Sequence, residues 1–250
     1  MTARHVVVIG GAGAIGSVVG TVLAEQGTRV TIADVAGADA TAVALPGVGH
    51  RGIHLDVTSL DGVTEVLGAT ASVGGYDALV YAAGTNYTGP VATMDWDAWE
   101  RVMTVNLRGA AYVGQALSAN LAKSPRECSA VYFSSTAGLT GEGGASAYAS
   151  SKFGLIGFVQ CLASELAVFG GRVNAVCPGN IDSPMLRSLA AQVARRNGTT
   201  TEETLQLFAR STAFARLIEL REVAEVVAFL ASAASTGMSG QSVVIDGPPN

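Results

Sequence analysis

Seven short apolar runs, at 5–9, 29–33, 52–55, 77–82, 130–133, 172–176 and 242–245, alternate with stretches of helical character along this chain. Strand and helix in strict alternation predict an α/β fold: seven parallel strands in a doubly wound sheet flanked by helices, with the site at the carboxyl ends of the strands. At 250 residues the chain is long for one domain, yet α/β folds reach this size as single units. Nearly half of the residues are hydrophobic and 14% are charged, enough for a large core. Its 31 glycines follow no period and point to many tight turns. No linker or second domain is evident, so residues 1–250 read as one dinucleotide-binding domain that includes the catalytic site.

The first strand leads into Gly10-Gly-Ala-Gly-Ala-Ile-Gly16 and then a helix to about Gln26. A strand, a glycine-rich turn and a helix N-terminus form an anion site, because free backbone N–H groups and the helix dipole face one point. The next strand ends in Asp34, eighteen residues beyond Gly16, where a carboxylate can accept both hydroxyls of an adenosine ribose. That carboxylate would repel a 2′-phosphate, and no Arg or Lys stands in the turn or just after it. NAD is favoured over NADP.

A second constellation runs from Ser134 to Lys152, from a strand end across a glycine-rich turn into a helix that starts near Ser146. Residues four apart share a helix face, so Tyr148 and Lys152 point the same way, and Ser135 at the strand end can meet them. Such a trio suits proton transfer at a carbinol or carbonyl oxygen. Tyrosine acting as a base near neutrality needs its pKa lowered from about 10 by about 3, worth ~4 kcal/mol. An ammonium ~4 Å away supplies about that much at an effective dielectric of ~20. Ser135 would donate a hydrogen bond to the substrate oxygen.

In these features the chain resembles the short-chain dehydrogenase/reductases, a family with a single Rossmann-type domain. There the catalytic Ser lies thirteen residues before the Tyr, as Ser135 does before Tyr148, and Lys follows at plus four. The resemblance covers nearly the whole chain. It implies a glycine motif Thr-Gly-x-x-x-Gly-x-Gly; Ile9 replaces its Thr and Ala14 its middle Gly, with Gly10 and Gly16 in register and Gly13 and Ile15 between. It puts Asp56 and Val57 beside the adenine and Ala82, Ala83 and Gly84 along the dinucleotide. Tyr81 and Ala82 depart from the usual Asn-Asn, a change expected to alter strand-end hydrogen bonding more than chemistry. Asn106, in a Val-Asn-Leu context within the helical stretch 95–122, would distort the helix and hold a water that relays protons from Lys152. Pro178 and Gly179 would bring backbone near the nicotinamide, with Ile181 and Ser183 beyond them. Lys152 and Tyr148 would also touch the nicotinamide ribose. Met238-Ser-Gly-Gln241 and Asp246-Gly247 match the family's C-terminal pattern.

A net charge of -5 leaves no basic footprint for nucleic acid. No apolar run reads as a signal or membrane-spanning segment, so a soluble cytoplasmic protein without membrane attachment is expected. Cys128, Cys161 and Cys177 have neither metal-ligand nor disulfide spacing and read as buried thiols, so no metal is expected. The helix 146–169 has no wide polar face, which suggests cover by another subunit in a homodimer or homotetramer. Residues 186–218, holding Arg187, Arg195, Arg196 and Arg210, read as a substrate lid whose arginines either meet an acidic substrate or form a solvated face. The resulting expectation is an NAD-dependent oxidoreductase interconverting a secondary alcohol and its ketone, with Tyr148 as general acid/base. Alternatives are an NADPH-dependent carbonyl reductase acting on 3-oxoacyl groups and a non-catalytic dinucleotide sensor. A sugar-nucleotide epimerase is disfavoured, because no substantial C-terminal domain follows. The substrate itself, a hydroxylated ring or a hydroxyacyl compound, is left open.

Overall fold

Strand β1 (His5–Ile9) is buried at every position. A strand with no face for water belongs in mid-sheet with helices on both sides. In the computed structural model, which describes residues 4–72 and 75–246, β1 pairs in parallel with β2 (Arg29–Asp34) on one side and β4 (Ala78–Tyr81) on the other. With β3 (Arg51–His54), β5 (Cys128–Phe133), β6 (Gly171–Pro178) and β7 (Ser242–Ile245), the described residues form a seven-stranded parallel sheet of order β3-β2-β1-β4-β5-β6-β7. This is the expected Rossmann-type architecture. The chain runs outward from β1 to β3 and then returns to β4 on the other side of β1. The crossovers after β1 and β4 therefore diverge and leave a crevice at the strands' carboxyl ends.

Alternation along β1 feeds two cores. Val6 and Val8 join α1 (Ala14–Glu25) and α9 (Leu220–Ala231) through Val19, Leu23, Val223 and Val227. Val7 and Ile9 face α3 (Leu60–Ser72), α5 (Gly109–Lys123) and α6 (Ser146–Leu166) through Leu67, Leu117 and Leu155. A short helix, α2 (Ala38–Ala44), lies beside β3. Within the expected helical stretch 95–122, α4 (Trp96–Met103) starts at Asp95, whose carboxylate accepts from Ala98 N–H. A π-helical turn, Thr104–Arg108, then precedes α5. The expected distortion at Asn106 is thus one extra residue wound into the helix.

By length and composition alone 146–169 is long and apolar enough to cross a bilayer, contrary to the expectation that no apolar run reads as membrane-spanning. Here it is a core helix: Leu155, Val159, Leu162 and Leu166 bury one side, and Ser151 and Lys152 are buried as well, while Cys161 on the outer side is exposed, unlike the buried Cys128 and Cys177 and contrary to the expectation of three buried thiols. Helices α7 (Pro184–Asn197) and α8 (Thr201–Arg210) pack on each other around Leu186, Ala190 and Leu205, a cluster separate from the two sheet cores.

Candidate active site

At the crevice lies a cleft of about 410 Å³. Its walls come from the turn after β1 (Gly10, Ala12, Gly13), the end of β2 (Asp34), the segment after β3 (Asp56, Val57, Thr58) and the end of β4 (Ala82, Ala83, Gly84). Eight of the residues expected at a dinucleotide thus meet in one cleft. Ala14 opens α1, with Ile15 and Gly16 in its first turn. Pro178, Gly179, Ile181 and Ser183 stand apart on β6 and the loop after it, outside the cleft walls.

Two glycines are dictated by close approach. A Cβ on Gly10, whose φ is +74°, would lie 2.4 Å from Ala83 N; one on Gly16 would lie 2.2 Å from Gly10 O. Gly13 starts α1 with no side chain capping its first turn, which leaves those N–H groups to an outside acceptor. The run Gly11-Ala-Gly13-Ala-Ile-Gly16 also fits Gly-x-Gly-x-x-Gly, a signal in the sequence beyond the register of Gly10 and Gly16. Asp34 Oδ2 accepts from Ala12 N–H at 3.0 Å, which fixes the carboxylate at the cleft wall. Asp56 Oδ1 accepts from both N–H and O–H of Thr58, at 2.8 and 2.7 Å, and these bonds hold its carboxyl below the usual range. Ser59 accepts from Gly62 N–H at the start of α3, so Asp56 shapes the preceding turn.

The cleft runs into the trio at Gly84, where a Cβ would lie 3.5 Å from Asn106 Oδ1 and 3.8 Å from Lys152 Nζ. Ser135 caps the turn Thr136–Gly138: its Oγ accepts from Ala137 N–H at 3.2 Å, and its side chain pairs with the Tyr148 hydroxyl. Lys152 is 4% exposed, and its Nζ donates to Phe133 O at 2.7 Å. Burial lowers its pKa from 10.5 to about 8. Around Tyr148, burial raises the phenol pKa and the Ser135 hydrogen bond opposes it. The direction is opposite to the lowering expected from a neighbouring ammonium. Nζ is turned to the Phe133 carbonyl and stands 5.5 Å from the centre of the Tyr148 ring, not at its hydroxyl.

Asn106 is fully buried and uses its whole amide: Oδ1 accepts from Thr85 N–H at 2.8 Å, while Nδ2 donates to Thr85 O at 2.9 Å and Ser151 Oγ at 3.0 Å. It therefore ties the strand-end loop to α6 one residue before Lys152. Tyr81 reaches the same turn from β4 and donates to Val105 O. Gly109 makes room for it, since a Cβ there would meet the Tyr81 hydroxyl at 2.7 Å. The departure at Tyr81 does act through strand-end hydrogen bonding. Ser134, unremarked in the sequence, donates to Lys152 O at 3.0 Å and pins α6 to β5.

Ser183 N-caps α7 by accepting from Leu186 N–H, Ile181 pairs with Ile218, and a Cβ on Gly179 would collide with the Asp246 carboxylate. Gly247 of the C-terminal pattern lies outside the described residues.

Residues 10–247 match the family described as enoyl-(acyl carrier protein) reductase. The chain is 35% identical over 249 residues to cis-4-hydroxycyclohexanecarboxylate dehydrogenase of Sinomonas cyclohexanicum, covering 98% of this chain and 95% of that protein. Among solved structures, an NAD⁺-bound xylitol dehydrogenase superposes with a TM-score of 0.91 at 29% identity, covering 98% of both chains. An actinorhodin polyketide ketoreductase with NADPH superposes with a TM-score of 0.88 at 28% identity, covering 97% of this chain and 95% of that one. With a sheet, a cleft and a Ser-Tyr-Lys trio of this kind, the chain belongs to the short-chain dehydrogenase/reductase family, oxidoreductases of alcohol and carbonyl substrates.

Proposed function

We propose that the protein interconverts a secondary alcohol and its ketone with NAD. The observation that carries this reading is the continuity from the Asp34 cleft, through Gly84, to the Ser135–Tyr148 hydrogen bond beside Lys152. The N–H groups of the uncapped first turn of α1 and a cleft wall built of Gly10, Gly13 and Gly84 fit a dinucleotide. A nicotinamide dinucleotide, when bound, supplies the hydride acceptor for oxidation or the donor for reduction.

The chain's own residues handle binding and the proton. Asp34, already oriented by Ala12 N–H, accepts from ribose hydroxyls and disfavours a 2′-phosphate. Asp56 and Val57 flank the adenine, Ala82 and Ala83 line the dinucleotide, and Ala14, Ile15 and Gly16 present the α1 N-terminus. Pro178, Gly179, Ile181 and Ser183 close the far side. Ser135 donates to the substrate oxygen in the position where it now faces Tyr148. Tyr148 takes the alcohol proton in oxidation and returns it in reduction. Its raised pKa suits the acid; for the base, Lys152 must leave the Phe133 carbonyl and bring its charge toward the phenol, as ribose hydroxyls beside it would favour. Asn106 holds the π turn for a water that passes protons from Lys152. The 186–218 segment acts as the lid. A cytoplasmic homodimer or homotetramer completes the reading.

The test is NADH formation over a panel of secondary alcohols, with NAD against NADP and wild type against Tyr148→Phe. Removing a positioned acid/base is expected to cost about 10²–10⁴-fold in kcat. Turnover that persists in the variant refutes the role of Tyr148.

A further inference from the structure

Helix α7, the loop after β4 and the turn before α6 meet at one side chain. Arg196, in the last turn of α7, sends Nη1 across to Thr88 Oγ1 at a loose 3.4 Å, and Nη1 lies 3.1 Å from where a Cβ on Gly144 would be. Thr88 and Gly89 in turn donate to Gly144 O, at 3.0 and 2.9 Å, joining the loop after β4 to the turn before α6. Arg196 thus stands at the rim where lid, loop and turn converge. Its neighbour behaves differently: Arg195 Nε folds back onto Ala191 O of its own helix. Among the described residues, the ion pairs engage Arg187, Arg216 and Arg221, and none engages Arg196. A guanidinium in this position has a planar fork of donors and only a hydroxyl to meet.

Resting on the alcohol dehydrogenase reading, we propose that Arg196 is a specificity-determining residue that binds a carboxylate remote from the reacting carbon, so the substrate class is a hydroxy acid and its oxo acid. The anion is remote because Arg196 contacts the rim and not Ser135 or Tyr148. Gly144 precedes Tyr148 by four residues, so the Cα atoms of the two are at most ~14 Å apart. Leu139 on the same turn and Met185 on the lid are 41% and 44% exposed, apolar side chains available to a carbon skeleton or ring. A phosphate would present the same oxygens, but a single guanidinium, with Arg195 turned away, matches one negative charge better than two.

The experiment compares kcat/KM with NAD for 4-hydroxycyclohexanecarboxylate, its methyl ester, sorbitol 6-phosphate and sorbitol. The proteins are wild type, Arg196→Gln, Arg196→Lys and, as a control of equal charge loss, Arg195→Gln. Wild type is expected to prefer acid over ester by about ten- to a hundredfold, the range of a charge-assisted hydrogen bond. Arg196→Gln should lose that preference, Arg196→Lys should keep part of it, and Arg195→Gln should keep it. A preference unchanged in Arg196→Gln overturns the proposal, as does wild type that turns over ester as readily as acid. Preference for sorbitol 6-phosphate over sorbitol without preference for the acid overturns the assignment to carboxylate. Binding of cyclohexanecarboxylate in the presence of NADH, read by calorimetry, needs no turnover. Binding that Arg196→Gln weakens tenfold, in a protein that oxidises none of the alcohols, sinks the dehydrogenase reading while the anion site stands; no binding and no turnover sinks both.

Discussion

Replacing Lys152 by methionine is expected to stabilise the dinucleotide-free protein while abolishing its activity. The ammonium is buried with one hydrogen bond, to Phe133 O, and its pKa falls from 10.5 to about 8. A base whose folded pKa lies below its unfolded one penalises folding wherever both states are protonated, here below pH ~8, by ~3 kcal/mol. The penalty drains away as pH rises from about 8 toward 10.5, where only the unfolded chain still holds the proton. Methionine fills a similar volume without the charge but leaves the Phe133 carbonyl unpaired, which costs ~1–2 kcal/mol. The net gain at pH 7 is ~1–2 kcal/mol, or roughly 2–8 °C in Tm for a domain of this size. Thermal unfolding of wild type and variant, without added dinucleotide, should be followed at pH 7, 8.5 and 10. Other titrating groups are common to both proteins and cancel in the difference. A variant less stable than wild type at pH 7, or a difference that does not shrink as pH rises, refutes the reasoning.

Asp34→Ala should raise the ratio of NADP to NAD use by at least about tenfold, ~1.4 kcal/mol, by removing a charge that repels the 2′-phosphate; steady-state kinetics with both cofactors measure it, and an unchanged ratio removes the basis for NAD selectivity. Tyr81→Phe leaves Val105 O without its buried donor and should cost ~1–3 kcal/mol in urea unfolding. If Tyr81 also positions Asn106, kcat falls at saturating substrate while dinucleotide Kd holds; equal stability to wild type would refute the hydrogen bond's importance. Gly16→Ala should destabilise by ~1–3 kcal/mol despite the better helix propensity of alanine, because its Cβ meets Gly10 O at 2.2 Å. Dinucleotide affinity, measured by fluorescence titration, should fall with it, and wild-type affinity would show that the turn relaxes freely.

What was legible in the sequence is what spacing encodes. Alternating strands and helices carry the sheet, because a parallel neighbour requires a crossover and a helix supplies it. Tyr148 and Lys152 share a face by helical period, and Ser135 reaches them because a strand end and a helix start adjoin across one turn. Contacts between segments far apart in the chain were not legible. Nothing in the run 77–82 says that the Tyr81 hydroxyl will cross to Val105, since that depends on a π turn twenty-four residues on. The direction in which Lys152 Nζ points depends on the competing carbonyl of Phe133, and the upward shift of Tyr148 comes first from its burial, neither of which spacing encodes. Strand ends moved by a residue or two, as at β3 and β6, because the ladder is set by neighbours and not by hydropathy alone.

The π turn at Thr104–Arg108 makes chain length a determinant of the site. Each helical residue turns the chain by about 100°. Deleting any one residue there would let α4 and α5 fuse into a regular helix, and every side chain beyond it would rotate relative to those before. Ala98 and Val102 could no longer face the protein together with Ala110, Val113 and Leu117. Asn106 would swing away from Thr85 and Ser151. Substitutions in this stretch adjust contacts, whereas a one-codon deletion re-aims an entire helix, so descendants of this chain can vary here in composition far more readily than in count.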